Sequence, residues 1–150
     1  NITYKSQKLD QSIRATAIPL KIIRKVDILI DGENRIYDEN ILFKKTIFDI
    51  EELNILNSKN ISFQDCIFTG SLRVSNKALN IPAKIFIDNV IIKKELFVSG
   101  AFNISDCVIS DINCTGLNIL NNEGISNLSV TNSNIGTMII SNTEIDTFRA

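Results

Sequence analysis

An all-β fold, a right-handed parallel β-helix, is the class this sequence predicts, and two observations predict it. From Phe63 onward an apolar residue recurs every five to seven positions. The series runs Phe63, Phe68, Val74, Ile81, Ile87, Ile92, Val98, Ile104, Ile109, Cys114, Ile119, Ile125, Val130, Ile135, Ile140, Ile145. Such spacing matches neither the 3.6 period of a helix nor the period of 2 of a lone strand. Every fourth member also returns to an equivalent place about 21 to 24 residues later, a repeat length that marks a solenoid.

Residues 1–25 read as an N-terminal capping segment and 26–150 as the solenoid, together one domain. Lys8 to Ile18 suits a short helix that stops before Pro19, since a proline disfavours helical geometry in the residue before it. An open solenoid end exposes unpaired backbone, so a cap belongs there. The basic cluster Arg14, Lys21, Arg24 and Lys25 is expected to be a solvated face of that cap. Val26-Asp27-Ile28-Leu29-Ile30 followed by Asp31-Gly32 reads as a strand and turn. Ile41-Leu42-Phe43 and Ile47-Phe48-Asp49-Ile50 extend the solenoid less regularly.

From there the coils align in four columns. Phe63, Ile87, Ile109 and Val130 form one; Phe68, Ile92, Cys114 and Ile135 a second. Val74, Val98, Ile119 and Ile140 form the third, and Ile81, Ile104, Ile125 and Ile145 the fourth. Stacked parallel strands lie roughly 4.8 Å apart, so each column becomes an apolar stripe facing the interior. Two places before each of these residues is a second inward position. It is large at Ile61, Leu72, Ile85, Leu96, Leu117, Leu128 and Met138, and smaller at Cys66, Val90, Cys107, Ser133 and Thr143. Two places after the column residues stand Asp65, Gly70, Asn76, Asn89, Gly100, Asp106, Asp111, Gly116, Asn121, Asn127, Asn132 and Asn142. Gly, Asn and Asp tolerate turn and left-handed conformations, so these positions predict a corner after each short side and four sides per coil.

Phe63-Gln64-Asp65-Cys66-Ile67-Phe68-Thr69-Gly70 and Ile104-Ser105-Asp106-Cys107-Val108-Ile109 resemble pentapeptide-repeat proteins, over roughly residues 61 to 148. That resemblance implies a right-handed, four-sided β-helix. The sequence departs from the family in favouring Ile or Val at the centre and in its intervals of six and seven. Asn57-Ser58-Lys59-Asn60-Ile61-Ser62-Phe63 and the Asn corners are similar to the three-sided, pectin-lyase-like β-helices, which stay open beside the favoured square form.

Sixteen basic and seventeen acidic residues give a net charge of −1, so no global field favours nucleic acid or an anionic membrane. Some pentapeptide-repeat proteins imitate DNA to inhibit topoisomerases, and the near-neutral balance argues against that role. No apolar run approaches the roughly 20 residues of a membrane span. Without a visible secretory signal, a cytoplasmic location is slightly favoured. Cys66, Cys107 and Cys114 fall on inward positions and are expected to act as small hydrophobes. With no His in the chain and no zinc spacing, neither metal nor cofactor is expected. The Asn-x-Ser/Thr triplets follow from the repeat's own residue preferences.

Chemistry is sparse. Asp88 and Asp111 are the best carboxylate pair, since Asp88 precedes the corner held by Asn89 and Asp111 occupies the equivalent corner one coil on, where adjacent carboxylates can supply an acid and a base or share a cation. A turn role explains Asp111 equally, and no other nucleophile–base arrangement or phosphate loop is present. The expectation is therefore a non-enzymatic interaction or assembly module, binding another protein or associating with itself. A carbohydrate-binding or polysaccharide-cleaving β-helix of a surface or phage-like protein is the alternative, with Asp88 and Asp111 bearing the chemistry. The position just before each inward residue points outward, yet it holds Phe86, Ile91 and Phe97 on consecutive sides. These three are the predicted partner-binding residues. The alternative for them is burial beneath the Lys93-Lys94-Glu95 stretch or the N-terminal segment. At the far end the chain passes Phe148-Arg149-Ala150 within a coil, so this end continues or meets another chain.

Overall fold

The computed structural model describes residues 21–23, 35–36, 40–56, 58–76, 82–101 and 103–150. The expected helix Lys8–Ile18, the strand Val26–Ile30 and the column member Ile81 lie outside the described residues. Among the described residues every regular element is a strand. They are β1 (Lys21–Ile23), β2 (Arg35–Ile36), β3 (Asn40–Lys44), β4 (Thr46–Phe48), β5 (Glu52–Leu56) and β6 (Asn60–Phe68). Then come β7 (Ser71–Ser75), β8 (Ala83–Ser99), β9 (Ile104–Leu120), β10 (Ile125–Thr131), β11 (Asn134–Ser141) and β12 (Ile145–Arg149). All of their pairings are parallel. The chain is thus a parallel β-solenoid. No helix among the described residues is long and apolar enough to cross a membrane.

Following one inward position around the stack gives the coil length. Ile41, Ile61, Ile85, Cys107, Leu128 and Phe148 lie on successive rungs, at steps of 20, 24, 22, 21 and 20 residues. Three expected columns form as written: Phe63–Ile87–Ile109–Val130, Phe68–Ile92–Cys114–Ile135 and Val74–Val98–Ile119–Ile140. The fourth holds Ile104, Ile125 and Ile145, and Ala83 is the residue that stacks on Ile104. The columns also continue further back than their regular spacing suggests. Phe43 stacks on Phe63, Phe48 on Phe68 and Ile55 on Val74.

Corners explain why these short sides can follow one another. Asp65, Asn89, Asp111 and Asn132 have positive φ, from 48° to 54°, at one corner of successive coils, and Lys45 (50°) occupies the same place before them. A second corner uses Gly100, Asn121 and Asn142. A left-handed turn is disfavoured for residues with an ordinary side chain, while Asn and Asp tolerate it. The stacked corner residues also bond to one another: Asn89 Nδ2 donates to Asp65 Oδ1 (2.7 Å) and Asn142 Nδ2 to Asn121 Oδ1 (3.0 Å). A third corner depends on close approach instead. A Cβ at Gly70 would collide with the carbonyl oxygens of Ile50 and Glu51 on the coil before.

The interior is graded along the axis. Phe43, Phe48, Phe63 and Phe68 fill the earlier coils, with Phe48 stacked on Phe68 at 4.6 Å and Phe63 edge-on to Phe68 at 5.3 Å. Later coils use Ile, Val, Leu and Cys, and the interior becomes partly polar at the Gly100–Asn121 corner. There Asn122 is buried; its Oδ1 accepts from Ala101 N (3.0 Å) and its Nδ2 donates to Val98 O (2.9 Å).

Candidate interaction surface

The three predicted contact residues project from three successive sides of the coil, so the fold does not bring them onto one face. Phe86 is 37% exposed and lies between Ser62 and Val108 in its outer column. Ile91 is only 5% exposed. It stacks on Ile67, which stacks on Ile47, and all three are buried although they lie outside the core cluster. Asn113, the next rung, is exposed. Phe97 is half-buried, with the Arg73 guanidinium 4.1 Å above its ring. Arg73 is held there by a bond to Ser99 Oγ (3.2 Å) and by Glu52 at 3.7 Å. A cation over an aromatic face is worth about 0.5–1 kcal/mol at an exposed site, so this stack covers Phe97 in part. Spacing alone identified the outward positions and could not identify what lies over them.

Register stacks Asp88 between Gln64 and Ser110, and Ser110 Oγ donates to Asp88 Oδ1 at 2.7 Å. Asp111 belongs instead to the left-handed corner with Asp65, Asn89 and Asn132. One residue of offset separates the two columns. Among the described residues no group of three or more Cys, Asp or Glu could hold a metal ion. The three cysteines are free and buried. Desolvation pushes the thiols of Cys66 and Cys107 up to about 12 and that of Cys114 to about 11, which keeps them protonated and unreactive near neutral pH.

Other apolar side chains are exposed as well. Leu42 is 62% exposed and stacks on Ser62, which stacks on Phe86, so Leu42, Phe86 and Val108 share one outward column. Met138 is 39% exposed, Ile140 37% and Phe148 47%, while Leu117, Ile119 and Leu128 on the rung before them are sealed. Ile139, an outward residue, is 45% exposed. Val130, Ile135, Met138 and Ala150 line a recess of about 530 Å³.

No family model, curated protein or solved structure matches this chain.

Proposed function

We propose that the chain is a non-enzymatic assembly module that associates through an outward face of its coils. One outward column carries this reading: Leu42, 62% exposed, and Phe86, 37% exposed, stack on either side of Ser62, with Val108 on the next rung. Large apolar side chains grouped on an outward face form a contact surface for another chain.

Light scattering over a concentration series, on the chain and on the Leu42→Asp/Phe86→Asp variant, tests the proposal. Association above 16.8 kDa that the variant abolishes is the expected result. A mass of 16.8 kDa for the unaltered chain at every concentration would overturn it. The altered side chains point outward, so circular dichroism of the variant should stay that of a β-solenoid.

A further inference from the structure

We infer that the partner of the outward face is a second copy of the same face, turned about a twofold axis that lies along the strands between the Phe86 and Val108 rungs; this rests on the assembly reading above. The central column of the face is Leu42, Ser62, Phe86, Val108, Ser129 and Arg149. In the outward column on one side of it, Lys84 stacks on Asp106. In the column on the other side, Asp88 stacks on Ser110. Lys84 is exposed and Asp106 half-buried, so both charges reach the surface beside Phe86 and Val108.

Packed sheets keep their strand directions within about 30° of each other. A twofold axis lying along the strands preserves that direction and reverses the order of the rungs. The register then depends only on where along the stack the axis crosses, and charge separates the choices. On the Phe86 rung, Lys84 would meet its own copy, and so would Asp88. On the Val108 rung, Asp106 would meet its own copy. In the gap before Phe86, Lys84 faces Asn60 and Asp106 faces Asn40; in the gap after Val108 they face Thr147 and Asn127. Only the gap between Phe86 and Val108 sets Lys84 of each copy against Asp106 of the other. Phe86 then meets Val108 and Asp88 meets Ser110, and no like charges oppose in the four central rungs. An axis running up the column instead would set Arg149 against its own copy.

The apolar contact and the charge pairs thus fall at the same place, the middle of the face. Complementary charge at an interface fixes register and rejects wrong pairings more than it adds affinity, and that is the part Lys84 and Asp106 play here. A twofold contact is also closed: the same patch is used on both copies, and growth stops at two.

Charge reversal in the whole chain tests the register. Lys84→Asp sets carboxylates against each other across the axis, and Asp106→Lys does the same with ammonium groups. Each variant alone should therefore associate at least about tenfold more weakly than the parent. An equal mixture of the two variants restores an opposite charge at each of these positions. The mixture should regain a species of twice 16.8 kDa by light scattering, and regaining it also shows that both variants are folded. Asp106→Lys that associates as strongly as the parent, a mixture that stays apart, or a mass that keeps rising with concentration would overturn the twofold register and leave the assembly reading standing. A parent chain of 16.8 kDa at every concentration would overturn both.

Discussion

Replacing Asn122 should destabilise this solenoid more than its modest size suggests. The side chain is 3% exposed and stands beside an interior that is largely apolar. Its two polar ends serve two backbone groups of the preceding coil, the N–H of Ala101 and the carbonyl of Val98. Ala101 and Val98 are themselves 1% and 0% exposed, so water does not readily stand in. A buried group stripped of its partner costs about 1–3 kcal/mol, which puts Asn122→Ala near 4 kcal/mol for the two. Asn122→Leu separates hydrogen bonding from volume, because leucine fills the same space. Its burial returns about 1.5–3 kcal/mol, leaving a net loss of about 2 kcal/mol. Urea unfolding followed by far-ultraviolet circular dichroism reads both values. An Asn122→Leu variant as stable as the parent would refute the reasoning, since the column would then require only filling.

Four further outcomes follow from the same geometry. Gly70→Ala should lose at least about 2 kcal/mol, because its Cβ meets the carbonyls of Ile50 and Glu51 and backbone must shift; thermal unfolding measures this. Asn89→Ala should lose about 2 kcal/mol by combining a left-handed backbone cost with the bond to Asp65, and Asn89→Gly should recover the backbone share in the same denaturation assay. Ser58 Oγ is buried with no hydrogen-bond partner among the described residues, so Ser58→Ala should raise stability by about 1 kcal/mol, read from the urea midpoint. Burial raises the Cys107 thiol from 9.0 to about 12, so above pH 9 the unfolded chain releases this proton while the folded chain keeps it. Stability from this group is complete below pH 9 and declines up to pH 12. The advantage of the parent over Cys107→Ala should shrink by about 1 kcal/mol between pH 7.5 and 9.5.

The columns were legible because a repeat states each inward position several times. Ile87, Ile109 and Val130 give the register together where any one alone would be ambiguous. The corners were legible for a similar reason: Asp65, Asn89, Asp111 and Asn132 combine a turn-tolerant side chain with a fixed offset, and all four are left-handed. What spacing missed depends on contacts between rungs. Asn122 was not singled out, because one Asn in an Asn-rich chain reads as a turn; only the carbonyl of Val98 and the N–H of Ala101 show that it faces inward. Phe97 was placed outward correctly, but its partner Arg73 stands 24 residues earlier. Ile91 occupies an outer column that is sealed at Ile47 and Ile67 and open at Asn113, a change that no local pattern encodes.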